Sequence, residues 1–148
     1  MSGDFPEVIV RENGGSAYEQ EIIAGRHRFV ADEPVTIGGQ DAGPAPYDFL
    51  MAGLGACTSM TLRMYAERRN LPLKRVTVGL RHEKIQRDGE TLKIDRFVRT
   101  ITLEGDLSDA QRDKLLEIAN KCPVHRTLSG EILIETELDK AGSALAID

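Results

Sequence analysis

Cysteine is scarce in this sequence, with only two in 148 residues, so no disulfide framework holds the fold. A cytoplasmic home is the expectation for such a chain, and thiols kept there serve as core filler, metal ligands or redox groups. Runs of lysine or arginine are missing, and the formal net charge is -5. That charge balance argues against nucleic acid or an anionic membrane as partner. Long hydrophobic runs are missing as well. The longest uncharged one, Phe49 to Leu62, falls short of the roughly 18 residues that suggest a bilayer span. The opening stretch MSGDFPEVIV has no basic segment leading into an apolar one and does not read as a signal peptide. What is present is a globular composition, 41% hydrophobic, long enough for one domain over residues 1–148 with a real core.

The order of elements reads as α+β with mostly antiparallel sheet. Residues 1–37 carry three strand patterns: FPEVIVRE, AYEQEII after Gly14-Gly15, and HRFVADE after the Ala24-Gly25 break. Residues 38–45 form a Gly/Pro loop that lacks the GK[ST] ending of a phosphate cradle and reads as a mobile lid or connector. A helix is expected over 46–70, with Pro46 at its first position and Asp48 in its first turn. Its FLMAGLGACTSMTL portion has no charged face, the pattern of a buried helix. Gly53 and Gly55 each cost about 1 kcal/mol against alanine there, which suggests close approach of another backbone. Residues 74–138 read as a hairpin turning at Asp88-Gly89, a second helix opened by the capping pattern Ser108-x-x-Gln111, and a last strand EILIETEL. A small sheet covers such a central helix poorly and a second copy covers it well, so a homodimer is expected.

Cys57 sits in the apolar helix, where burial raises a thiol's pKa and the helix N-terminus is too far away to lower it. The ordinary reading is a small core hydrophobe. Cys122 shares a face with Leu115, Ile118 and Ala119 and precedes Pro123. If Pro123 opens a new turn, Cys122 caps it and its thiolate is favoured; if Pro123 only ends a helix, the thiolate is disfavoured. Cys122 and His125 form a C-x-x-H pair, but with His27 and His82 on strands no second close pair completes a metal site. No metal is therefore expected. A Cys-His hydrolase lacks the necessary base and oxyanion context. Arg99 falls on one strand face with Phe97, Ile101 and Leu103, and the ordinary reading is a cation that snorkels to solvent or pairs with a carboxylate.

The stretch GGQDAGPAPYDFLMAGLGACTSMTLRMYAERRNLPL, followed by IANKCPVHRTL, resembles the OsmC/Ohr family of osmotically inducible and organic hydroperoxide resistance proteins, in particular its OsmC-like branch. The resemblance implies an intertwined α+β homodimer, with sheets wrapped around buried central helices. It implies an oxidoreductase, a thiol-dependent peroxidase acting on organic hydroperoxides under oxidative stress without a cofactor. By position, Cys57 matches the peroxidatic cysteine and Cys122 the resolving one. A Cys57 sulfenic acid would condense with Cys122 to a redox-active disulfide, reset by a dithiol, with lipoylated protein as the precedent. Phe49 and Met60 are candidate walls for an apolar substrate. Better-studied relatives place a glutamate ten residues before the first cysteine, where it holds an arginine over the thiolate. Here that position is Tyr47, and Asp48 beside it is rotated by roughly 100° on a helix. Arg11, Arg26 and Arg99 are the candidate activating cations. The alternative function is a non-enzymatic dimeric module that binds a small apolar ligand or senses redox state.

Overall fold

The computed structural model describes residues 6–139. Phe5, where the first strand was expected to begin, lies outside them, as do the ends of the 1–148 span. The chain divides into two compact units, one of residues up to 49 together with those from 134, and one of residues 50–133.

The first unit contains an antiparallel three-stranded sheet, β1 (Val8–Glu12), β2 (Gln20–Ala24) and β3 (His27–Ala31), in that order. Gly25 and Arg26 form the two-residue turn between β2 and β3, and Gly25 has φ +62°, which glycine adopts without steric cost. After β3 the buried carboxylate of Asp32 gathers the following loop. It accepts the backbone N–H groups of Glu33 at 2.8 Å and of Gln40 and Ala42 at 3.1 Å each. Burial would push the Asp32 carboxyl up, but these three amides outweigh it and hold it below the ordinary value. A Cβ at Gly43 would strike the Val30 carbonyl, and one at Gly39 the Glu33 carbonyl. Of the two expectations for 38–45, a mobile lid or a connector, these ties favour the connector. The loop is tied to one carboxylate and packed against backbone, because glycines permit that approach.

α1 (Pro46–Arg68) begins as its sequence signals require. Pro46 takes the first position, and Asp48 Oδ2 accepts the Ala45 N–H at 2.9 Å. At its far end Asn70 adopts φ +54°, with Leu71 N–H bonded to Ala66 C=O and Asn70 N–H to Glu67 C=O. This is a Schellman closure with asparagine in the left-handed position, and Pro72 follows it.

In the second unit, β4 (Leu73–Gln86) and β5 (Lys93–Gly105) form a long antiparallel hairpin, turning at Asp88-Gly89 with Gly89 at φ +79°. α2 (Asp109–Ala119) opens with the complete Ser108/Gln111 capping box. α3 (Pro123–Ser129) has Cys122 as its N-cap. The core joins Leu62 and Ala66 of α1, Leu73 of β4, Leu107, and Leu115, Ile118 and Ala119 of α2. Gly55 allows Leu80 to approach, since an added Cβ would lie 2.7 Å from Leu80 Cδ1. At Gly53 an added Cβ would meet no described atom of this chain within 4 Å. α1 buries the stripe Leu54, Thr58, Leu62 and Ala66 but leaves Met60 and Met64 open.

EILIETEL forms no strand. Residues 131–139 have no regular structure, and Ile132, Leu133, Ile134 and Leu138 are all exposed. Its apolar pattern suits a strand, but a strand needs a neighbour to bond to, and among the described residues EILIETEL joins no sheet. Among the described residues no helix is long and apolar enough to cross a membrane.

Candidate active site

Cys57 and Thr58 are consecutive on α1 and so point about 100° apart around the helix axis. Cys57 is half-buried and opens onto a cavity of about 630 Å³. The cavity is walled mainly by Gly53, Met60, Met64, Tyr65, Ile118 and Pro123. Thr58 turns inward and is fully buried, as is Cys122. Cys122 ends α2's apolar stripe and is fixed by Pro123 at the first position of α3, so the new-turn alternative is the one realised. The His125 N–H donates to Cys122 Sγ at 3.4 Å.

The two thiols interact, and their environments shift them in opposite directions. Burial pushes the Cys57 thiol up, and its bond to Cys122 adds to the rise, while the Val124 N–H and Thr61 offset only part of it. Burial would also push Cys122 up. The hydrogen bonds from Cys57, from the His125 and Val124 N–H groups and from Thr58 outweigh that and hold it below the ordinary thiol value.

Arg99 of β5 stands beside this pair. Its Nη1 donates to Thr58 Oγ1 at 2.8 Å and to the Ala119 carbonyl at 3.1 Å. Its Nη2 donates to Asn120 Oδ1 at 3.0 Å and to His125 Nδ1 at 2.7 Å. The expected snorkelling or carboxylate pairing is thus replaced by four neutral acceptors that tie α1, α2 and α3 to the hairpin. Because arginine only donates, His125 Nδ1 must be the acceptor, and its proton sits on Nε2. Burial first, and then the Arg99 charge, lower the pKa of His125 and keep the ring neutral.

The other named residues have the following surroundings. Arg11 donates to Glu21 at 2.9 Å, and Glu21 also accepts from Arg28 at 2.7 Å. Arg26 is exposed in the β2–β3 turn. Asp48 is engaged with the Ala45 N–H, and Tyr47 is half-exposed in the first turn of α1. Met60 lines the cavity, whereas Phe49 is not one of its walls. Among the described residues no cluster of three or more His, Cys, Asp or Glu could hold a metal ion, and His125 Nδ1 of the C-x-x-H pair is taken by Arg99. The residue that sequence reasoning missed is Thr58. Its signal was a hydroxyl on the same helical stripe as Leu54 and Leu62.

The model for the family described as OsmC-like protein matches residues 38–137. The chain belongs to the OsmC-like protein family. No curated protein matches it. Among solved structures it is similar to an OsmC-like protein from Mycoplasma pneumoniae, with TM-score 0.71 and 17% identity over 86% of this chain and 89% of that one. It is similar to the organic hydroperoxide resistance protein OhrB of Bacillus subtilis, with TM-score 0.61 and 18% identity over 85% and 91%. A Legionella pneumophila organic hydroperoxide resistance protein, OsmC, gives TM-score 0.62 and 19% identity over 84% and 90%. These likenesses establish an OsmC-like α+β fold with antiparallel sheets and three helices.

Proposed function

We propose that this OsmC-like protein is a thiol peroxidase that reduces organic hydroperoxides with Cys57 and Cys122. The carrying observation is a half-buried cysteine at the wall of an apolar cavity, interacting with a second, fully buried cysteine. The cavity admits an apolar hydroperoxide to Cys57 and not to Cys122. The Cys57 sulfur attacks the terminal peroxide oxygen, forming an S–O bond as the O–O bond breaks and the alcohol leaves. Cys122 then attacks the sulfenic sulfur, forming the disulfide and releasing water. A dithiol, with a lipoylated protein as the candidate, returns both thiols. Organic hydroperoxide resistance in the names of structural neighbours supports this reading.

A homodimer is part of the proposal. The open α1 face with Met60 and Met64 and the segment with Ile132, Leu133, Ile134 and Leu138 both present exposed apolar side chains that a second copy would cover.

The test is stoichiometric oxidation of the reduced protein with one equivalent of cumene hydroperoxide, then of hydrogen peroxide, following free thiols and intact mass. Rapid formation of an intrachain disulfide, faster with the organic peroxide and absent in Cys57→Ser, is the expected result. Thiols that survive the dose for hours would instead make the chain a binder of a small apolar ligand.

A further inference from the structure

Cys122 sits at a corner that regular structure holds only weakly. It lies between α2 and α3, and α3, with seven residues, is shorter than a helix that stands alone in water. At the end of α2 the Ala119 carbonyl accepts the Cys122 N–H at a long 3.4 Å. Arg99 grips the chain on both sides of this corner. It donates to the Ala119 carbonyl at 3.1 Å and to Asn120 Oδ1 at 3.0 Å before Cys122, and to His125 Nδ1 at 2.7 Å after it. Its remaining bond, at 2.8 Å, goes to Thr58, the neighbour of Cys57 on α1. Thr58 Oγ1 in turn lies 3.9 Å from Cys122 Sγ, and Pro123 and Cys57 wall the same cavity, so α1 and the corner meet at the two cysteines. The platform under Arg99 is the hairpin, where it stands opposite Leu80 of β4. Paired residues of an antiparallel ladder share a face, and this face meets α1 at Gly55, whose missing Cβ lets Leu80 in. Thr58 follows Gly55 by three residues on the same side of the helix. The glycine that seats the hairpin on α1 thereby brings Arg99 to Thr58.

We propose that Arg99 is the positioning residue of disulfide formation: its two-nitrogen fork holds the α2–α3 corner against α1, so that Cys122 meets Cys57 once Cys57 has been oxidised. This rests on the peroxidase reading above. The organic hydroperoxide takes two electrons and leaves Cys57 as a sulfenic acid. Cys122 Sγ then attacks the sulfenic sulfur, the S–S bond forms as the S–O bond breaks, and the thiol proton departs with the hydroxyl as water. Such a step joins two groups of one chain, so its rate and its equilibrium depend on how well they are held together, as an effective concentration. The fork matters here more than the charge, because the four acceptors are neutral and lie on different elements. A lysine would keep the charge on one compact nitrogen and lose the span. Arg112 of α2 is a clamp of the same kind, donating to the Leu103 carbonyl at 2.8 Å and the Gly105 carbonyl at 3.1 Å. Neither of its acceptors adjoins a cysteine in the chain, so it ties α2 to the hairpin without holding the pair.

Equilibration with reduced and oxidised glutathione in varied ratio, read by intact mass, tests the assignment without peroxide. It gives the equilibrium constant of the Cys57–Cys122 disulfide. Arg99→Met should lower that constant about tenfold, a rise of about 30 mV in reduction potential, and Arg99→Lys should not restore it. Arg112→Met loses a comparable clamp and should stay within about twofold of wild type. Asn120 is exposed and gives a variant that leaves the core alone. Asn120→Ala should lower the constant about threefold, the worth of one hydrogen bond, and Asn120→Asp, which keeps an acceptor, should restore it. An unchanged constant in Arg99→Met or, should that variant not fold, in Asn120→Ala overturns the proposal. So does an equal fall in Arg112→Met, which would make the effect one of general stability. With one equivalent of cumene hydroperoxide, dimedone should capture a Cys57 sulfenic acid in Arg99→Met at times when wild type already holds the disulfide. Slower peroxide loss with no captured sulfenic acid would put Arg99 on the first step instead and overturn the proposal. If wild type ignores the peroxide while the glutathione series behaves as expected, the peroxidase reading falls and the positioning role of Arg99 stands.

Discussion

His125 shows how a single side chain's protonation state is written into the packing around it. Its Nδ1 accepts from Arg99, and both burial and the guanidinium charge lower its pKa in the folded chain. The unfolded chain therefore takes up the proton first as pH falls, which favours unfolding. This contribution to stability is fully present above the ordinary histidine value of 6.5 and is lost as pH falls towards the folded value. Denaturant midpoints measured between pH 7 and pH 5 should drop more steeply for wild type than for His125→Gln, whose amide oxygen can accept from Arg99 without titrating. Parallel profiles would contradict this. At this scale the sequence was legible where a residue's role depends on its neighbours along the chain. The inward faces of Cys122 and Arg99 follow from period alone. What Arg99 bonds to did not follow, because its four acceptors lie on three other elements. The capping role of Cys122 depended on the turn Pro123 would adopt, which the sequence left open.

Elements with their own end signals match expectation most closely. Pro46, the Ser108/Gln111 box and the Asp88-Gly89 tip each act over a few residues, and each is where the sequence places it. EILIETEL fails for the opposite reason, because its alternation describes a face while a strand also needs an edge to bond to. In the Gly/Pro loop, which the sequence left as a mobile lid or a connector, glycine does not serve as freedom. Gly39 and Gly43 instead permit backbone contact, and Asp32, a remote carboxylate, does the tying. Gly43→Ala would drive a Cβ into the Val30 carbonyl, and a backbone atom cannot step aside as a side-chain tip can. The expected cost is about 2 kcal/mol or more, read from urea unfolding. A loss below about 0.5 kcal/mol would show that the loop is free to shift.

Among the described residues α1 keeps Met60 and Met64 exposed, and Ile132, Leu133, Ile134 and Leu138 are exposed as well, so assembly is where the proposal places their cover. Sedimentation should give twice the 16.3 kDa chain mass. Gly53→Ala separates the two levels. Within one chain the added methyl meets nothing, and alanine favours the helix by about 1 kcal/mol. If α1 packs closely on its copy at this point, the same change should weaken the dimer on dilution; unchanged dimerisation together with a stability gain would place Gly53 away from the contact. The β4–β5 tip and loop 38–45 also differ in what they could host. The β4–β5 tip is exposed, and its described backbone bonds are local, from Glu90 N–H to Arg87 and from the Gln86 side chain to Glu90 and Thr91. Loop 38–45 sends two amides to Asp32 and one carbonyl to its backbone N–H. An epitope tag or a grafted peptide belongs at the hairpin tip, where the chain can lengthen without breaking a long-range bond. The same insertion between Gln40 and Ala42 would pull the carboxylate's ligands apart.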